Sequence, residues 1–148
     1  MSLMMDNNIG WNLARAANSW RHAVDNQMSG IGFTQSKWIA MMHLDRFGEG
    51  CTQSDLASQM GIEQPSLIRT LNQLEAAGFI IRRESDVDAR CKTLWFTNDG
   101  KQQLAKMQHI AQLGRSDLLD GLSKEQRELL DHALLTIISN AHNMSFET

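Results

Sequence analysis

Polar side chains with hydrogen-bonding groups recur in the segment 53–78, which reads QSDLASQMGIEQPSLIRTLNQLEAAG. Its second half carries amide, hydroxyl and guanidinium groups at helical spacing, on Gln64, Ser66, Arg69, Thr70 and Gln73. These are the donors and acceptors that contact base edges and phosphates in nucleic acids. The pattern therefore favours a DNA-reading surface, and the alternative is an ordinary helical hairpin with a solvated polar face.

Two helices separated by a glycine turn must position these groups. Thr52 and Asp55 form a Thr-x-x-Asp capping box that opens a short helix ending near Met60. Gly61 takes the turn, and a longer helix begins around residue 63, with Pro65 in its first turn, and continues to residue 77 before a glycine stop. The buried faces are predicted to carry Leu56, Ala57, Met60, Ile62 and Leu67. This arrangement is a helix-turn-helix.

A β-hairpin is predicted immediately after the second helix. Two extended runs, 79–83 and 92–96, are joined by the polar sequence ESDVDARC. A helix-turn-helix followed by such a hairpin is a winged helix. Asp88 stands two residues before Arg90, so its carboxylate is placed to brace the guanidinium as it extends toward a minor groove. The alternative is that Asp86, Asp88 and Arg90 only solvate a loop tip.

Charge within the winged-helix segment is balanced. Residues 62–93 contain five basic and five acidic side chains, so affinity for DNA must come from where the cations are placed. The whole chain has 148 residues and a formal net charge of −3, which argues against indiscriminate coating of nucleic acid.

Composition predicts a single, mainly helical domain. Leucine occurs 17 times against two valines, with no tyrosine and one proline, so residues that favour strands are scarce. No run approaches 18 apolar residues and no secretory signal is visible, so we expect a soluble cytoplasmic protein with no membrane partner. Cys51 and Cys91 are expected to be reduced thiols.

Further helices flank the winged helix. Apolar residues recur by threes and fours between 9 and 24, and Thr34 is placed to cap a second helix that ends near Phe47. Thr97 is expected to cap a fifth helix, and Ser123 with Gln126 forms a capping box that opens a sixth.

The segment GIEQPSLIRTLNQLEAAGFIIRRESDVDARCKTLWFTNDG, together with TQSKW at 34–38 and the flanking helices, resembles the MarR family of bacterial transcription regulators, closest to its SlyA-like branch. The wing pattern Asp-x-Arg and the strand ending Phe-Thr-x-x-Gly both match. Ala89 stands where the family usually has an arginine between these wing residues. The resemblance implies a mainly α fold with a small β-wing, in which a winged helix-turn-helix at about 34–97 lies between dimerisation helices at about 9–30 and 98–146.

The resemblance further implies a homodimer that binds double-stranded DNA and reads a pseudo-palindromic operator. The DNA-binding residues would be Gln64, Pro65, Ser66, Arg69, Thr70, Gln73, Arg83, Asp88, Arg90 and Lys92. The dimer contacts would include Ile9, Leu13, Trp20, Leu130, Leu134, Ile137 and Ile138. The terminal helices support this independently, because their apolar surface is wider than one small core would use. An intramolecular bundle of these helices is the alternative.

Similar proteins bind small aromatic carboxylates such as salicylate between the dimerisation helices and the winged helix. On this resemblance the ligand-binding residues would be Arg15, Trp38, Met42, Arg69 and Thr70. Arg15 would bind the carboxylate and Trp38 would form a flat apolar wall. The alternative is that Trp38 belongs to the core and Arg15 is a solvated charge.

Enzymatic chemistry is not indicated. The sequence contains no nucleophile elbow, phosphate loop or HExxH motif, so we expect no catalytic residues and no cofactor. Five histidines lack the spacing of a ligand set, and no metal site is predicted. The competing non-enzymatic function is a winged helix that serves as an architectural or protein-interaction module without effector response. Activation versus repression, the operator, the natural effector and a redox role for Cys91 stay open.

Overall fold

The computed structural model describes residues 2–144, with side chains described from residue 8 onward. Eight elements follow in order: α1 (Ser2–Ser29), α2 (Gln35–Phe47), α3 (Gln53–Met60), α4 (Gln64–Ala76), β1 (Ile80–Glu84), β2 (Lys92–Phe96), α5 (Asn98–Leu118) and α6 (Lys124–Met144). The chain divides into two units after Gly114, inside α5. The prediction of a mainly helical fold with a small wing is confirmed.

The core of the first unit is an aliphatic cluster shared by most of its elements. Each of α2, α3, α4, β1, β2 and α5 contributes side chains that are almost completely buried, namely Leu44, Leu56, Leu67, Leu71, Leu74, Ile80, Leu94 and Met107. Helix α4 contributes three of these leucines, Leu67, Leu71 and Leu74. Because their spacing is three and four residues, one side of α4 is committed to the core and the opposite side faces outward.

Helix caps were predicted well from the sequence, with one exception. The Thr52 hydroxyl accepts from the Asp55 backbone N–H at 3.1 Å, as a cap of α3 requires. Gly61 ends α3 with φ of 68°, in the left-handed region that glycine adopts without penalty. Thr34 occupies the cap position of α2, but its side chain makes no capping hydrogen bond.

The wing strands pair antiparallel, from Ile80 opposite Phe96 to Glu84 opposite Lys92. The first strand begins and ends one residue later than predicted. Phe79 is excluded because its backbone N–H bonds to Leu74 O at 3.0 Å, which continues the turn that closes α4. Glu84 is included because it pairs with Lys92 across the hairpin.

Residues 50–52 pair with β2 as a short third segment of the wing sheet. This pairing was not predicted from the sequence. Gly50 N donates to Leu94 O at 2.8 Å, Leu94 N donates to Cys51 O at 3.0 Å, and Thr52 forms a bridge with Thr93. The segment immediately before α3 is thereby attached to β2. This contact joins the base of the helix-turn-helix to the wing.

The Phe-Thr-x-x-Gly sequence has a structural role at the start of α5. Thr97 Oγ1 donates to Gly78 O at 2.6 Å and accepts from Gly100 N at 2.9 Å, so it joins the end of α4 to the first turn of α5. A Cβ at position 100 would lie 1.9 Å from Phe79 O. Only glycine permits this approach of α5 to the wing.

The second unit contains the end of α5 and α6. Ser123 and Gln126 form the predicted reciprocal capping box, with bonds of 2.8 and 3.1 Å. The Arg127 guanidinium donates to Leu119 O and Leu122 O, which fixes the turn between the helices. No residue of α6 is buried within the described part of the chain, although the helix carries many leucines and isoleucines. Among the described residues no helix is long and apolar enough to cross a membrane.

Candidate nucleic-acid interface

The exposed side of α4 carries most of the predicted DNA-binding residues. Gln64, Pro65, Ser66, Arg69 and Gln73 are all exposed. Pro65, Arg69 and Gln73 project away from the buried leucines of the same helix, so burial of the apolar side directs them outward. Gln64 and Ser66 are exposed because they lie in the first turn of α4, at the end of the buried stripe.

Thr70 differs from the other predicted DNA-binding residues of α4 in being buried. Its side chain is only 8% exposed, and its hydroxyl donates to Ser66 O, 3.4 Å away, within its own helix. Position 70 follows Leu67 by three residues and so falls on the buried stripe.

The N-terminus of α4 is joined to α3 by backbone and side-chain hydrogen bonds. Ile62 N donates to Ala57 O at 3.1 Å, which closes the turn around Gly61. The Gln64 side-chain amide donates to Ser54 Oγ at 3.2 Å. The first turn of the recognition helix is thus held against the first turn of α3.

The base of the wing is attached to α4 through Arg82. Its guanidinium donates to Asn72 Oδ1 and forms an ion pair of 3.5 Å with Glu75. Its neighbour Arg83 projects to the other face of β1, where its guanidinium carbon lies 5.0 Å from the centre of the Trp95 ring. Arg82 therefore has a structural role, whereas Arg83 is exposed on the wing.

The wing loop holds Arg90 in a solvent-facing position. Its Nε lies 3.2 Å from Asp88 Oδ1 and its second terminal nitrogen 3.4 Å from Oδ2, a two-point contact. The Arg90 backbone N–H also donates to Asp88 Oδ1 at 3.0 Å. The Arg90 side chain nevertheless remains 92% exposed. This is the predicted brace, in which the carboxylate orients the guanidinium without covering it.

Electrostatics at the wing follow from the same contacts. The backbone N–H of Arg90, followed by its guanidinium, holds the pKa of Asp88 below its ordinary value. Lys92 forms an ion pair of 3.5 Å with Glu84 at the end of the hairpin, so its charge is partly compensated. The Arg90 side chain is therefore more accessible than that of Lys92, at 92% against 43% exposed.

Of the five predicted ligand-binding residues, the structure brings only two together. Arg69 and Thr70 line a cavity of about 410 Å³ between α2 and α4. Its other lining residues are Gln35, Ser36, Ile39, Ala40, Met60, Ile62, Ser66 and Leu67. Most of this wall is apolar, and Arg69 supplies a cation at its edge.

The other three residues lie elsewhere. Trp38 is directed toward α1, where its indole N–H donates to Asp25 Oδ1 at 3.1 Å. Met42 lines a separate depression with His43, Asp45 and Arg46, and Arg15 is exposed on α1. Trp38 therefore does not form a wall of the cavity, because position 38 faces α1 while positions 35, 36 and 39 face α4.

Among the described residues, no group of three or more His, Cys, Asp or Glu side chains is placed to bind a metal ion. Both cysteines are free thiols, as predicted. Burial raises the pKa of the Cys51 thiol, and Asp55 adds to this effect. Cys91 Sγ lies 3.8 Å from Asp88 Oδ2 at the base of the wing loop.

These elements define a winged-helix protein, and its similarity to known proteins is extensive. The sequence model of the MarR family matches residues 31–90. The crystal structure of transcriptional regulator PA3341 is 33% identical, covers 90% of this chain and 98% of that one, and superposes with a TM-score of 0.83. The chain belongs to the MarR family, a family of transcription regulators and not of enzymes.

Two further structures share the fold. The transcriptional regulator SlyA is 19% identical over 95% of this chain and 99% of its own, with a TM-score of 0.82. The transcriptional repressor CouR, solved bound to a 23-mer DNA duplex, is 24% identical over 90% of this chain and 94% of its own, with a TM-score of 0.80.

The wing geometry predicts a specific response of Asp88 to substitution. Because Arg90→Ala removes the guanidinium but keeps the backbone N–H, the pKa of Asp88 should rise part of the way to its ordinary value. The lowered pKa means that the brace is complete at neutral pH and is lost as pH falls through that value. Carboxyl-carbon NMR titration measures this directly. Lys92→Ala is the control and should leave Asp88 unchanged; an unaltered pKa in Arg90→Ala would contradict the brace.

Proposed function

We propose that the protein is a transcription regulator that binds a pseudo-palindromic DNA operator as a homodimer. The observation that carries this proposal is the exposed polar side of α4, followed in the same winged helix by an exposed Arg90 that Asp88 contacts at two points. In this arrangement α4 enters a major groove and the wing tip enters the neighbouring minor groove. The DNA-bound structure of CouR, which shares the fold, is consistent with it.

The balance of charge makes the position of each cation decisive. Residues 62–93 are electrically neutral overall, so general attraction to the phosphate backbone is weak. Ala89 leaves Arg90 without a neighbouring arginine at the wing tip. We therefore assign to Arg90 most of the wing's contribution, and we place Ser66, Arg69 and Gln73 among the residues of α4 that contact bases.

Unpartnered apolar surface supports the homodimer. On α1, Trp11 is 68% exposed and Ile9 is exposed beside it; on α6, Leu129 is 71% exposed. The predicted dimer residues Leu13, Trp20, Leu130, Ile137 and Ile138 are also exposed. Exposed apolar residues in this number are typical of a subunit interface. Association of two such chains would present two α4 helices to half-sites about 34 Å apart.

A regulatory ligand is the second part of the proposal. The cavity between α2 and α4 has a mainly apolar wall with Arg69 at its edge, which suits a small aromatic carboxylate. Arg69 would serve either the ligand or the DNA but not both fully. Ligand binding would therefore lower DNA affinity by favouring the conformation that does not bind DNA.

DNA binding is tested with the protein's own upstream DNA in a salt-dependent gel shift. Arg90→Ala should weaken binding and reduce the slope of log affinity against log salt by about one, because one phosphate-region cation is lost. Asp88→Asn should weaken binding less, since the cation stays but its orientation is lost. Lys106→Ala, an exposed cation on α5, is the control.

Each contrary result has its own meaning. Wild-type affinity of Arg90→Ala throughout the salt titration would refute the wing contact. Binding without any preferred sequence would indicate an architectural module, and the absence of any shift would indicate a protein-interaction module.

The ligand proposal is tested by calorimetric titration with salicylate and by operator binding at millimolar salicylate. Saturable binding with release of DNA is expected. Ser36→Leu should abolish the heat of binding because the added side chain occupies the cavity, whereas Lys37→Leu on the same helix should not. Unchanged DNA affinity at millimolar salicylate would reject this effector class.

A further inference from the structure

The hydrogen bond between α4 and α3 constrains a residue that faces the proposed DNA. Gln64 is the first residue of α4, it is exposed, and its Nε2 donates to Ser54 Oγ at 3.2 Å. Ser54 is the second residue of α3 and is also exposed. A glutamine side chain at such a position would otherwise sample several rotamers, at an entropic cost when it binds.

The bond determines which hydrogen-bonding groups Gln64 presents. An amide nitrogen has two hydrogens, and one of them is engaged by Ser54. One N–H and the carbonyl oxygen Oε1 therefore remain available, and they lie side by side when Ser54 engages the amide hydrogen that is trans to Oε1. In the major groove adenine presents an acceptor, N7, beside a donor, the N6 amino group, and a glutamine amide matches this pair with two hydrogen bonds. Guanine presents two acceptors there and leaves Oε1 without a donor.

Ser54 itself has a remaining donor. Its Oγ accepts from Gln64, so the hydroxyl hydrogen is available to a phosphate oxygen beside the first turn of α3. Backbone contacts of this kind set the register of a protein on the duplex. A series of hydrogen bonds would then run from a phosphate through Ser54 and Gln64 to a base. In this way the register of the protein on the duplex would determine which base Gln64 contacts.

We propose that Ser54 is a positioning residue that fixes the Gln64 amide for recognition of one adenine in each half-site. This inference rests on the proposed function, because it requires that α4 enter the major groove. It adds a specificity-determining pair, Ser54 and Gln64, in which one member need not touch a base at all.

The experiment first selects preferred sites from randomised duplexes with the wild-type protein and then measures affinities for every single-base variant of the best site. Each half-site should contain one A·T pair whose replacement by any other base pair lowers the affinity of the wild type by about tenfold or more. Gln64→Ala should lose discrimination at that pair only. Ser54→Ala should reduce it there by about threefold to tenfold, whereas Ser54→Thr, which keeps the hydroxyl, should retain it.

Controls separate positioning from general effects. Gln59→Ala, an exposed amide elsewhere on α3, should leave discrimination at every pair unchanged. The double variant Ser54→Ala/Gln64→Ala should discriminate no worse than Gln64→Ala alone, because the serine acts through the glutamine. All variants should keep the wild-type melting temperature, since both side chains are exposed.

Two results would overturn the inference while leaving the proposed function intact. One is a uniform loss of affinity in Ser54→Ala with discrimination unchanged. The other is a Gln64→Ala effect at a pair that is not A·T, or at none. If the wild type selects no sequence at all, the proposed function fails, and this inference fails with it.

Discussion

Burial of one side of α4 is the interaction on which the candidate DNA surface depends. Leu67, Leu71 and Leu74 are each about 1% exposed and pack into a core shared with α2, α3 and β1. Because a helix is rigid, burial of these three side chains also determines the direction of every polar group on the opposite side. Hydrophobic packing therefore determines which polar side chains of α4 face outward. The wing begins directly after the end of the same helix.

Attachment of the wing to this helix turns two small elements into one surface. Arg82 contacts Asn72 and Glu75 on α4, and residues 50–52 pair with β2, so both strands are anchored near their bases. The wing loop differs, since the Arg90 guanidinium contacts Asp88, two residues away in the same loop, and stays 92% exposed. Residues 62–93 carry no net charge, so they offer no general electrostatic attraction to DNA. An anchored wing base and one oriented cation would instead put positive charge at a defined position.

Local signals made much of this predictable from the sequence. The caps at Thr52, Thr97 and Ser123 depend on neighbouring residues, and the Asp88–Arg90 brace spans two positions, so both could be read directly. The burial of Thr70 could also have been predicted, because its spacing from Leu67 places it on the buried stripe. Pairing of residues 50–52 with β2 and the direction of Trp38 toward Asp25 depend on contacts distant in sequence, which periodicity does not encode.

The proposed homodimer rests on the exposed apolar residues of α1 and α6, which are typical of a subunit interface. Sedimentation equilibrium at low micromolar concentration, without DNA, measures the mass of the assembly. We expect a single species of twice the 16.7 kDa chain mass. A species of 16.7 kDa at that concentration would contradict both the dimer and the reading of two half-sites on one face of the duplex.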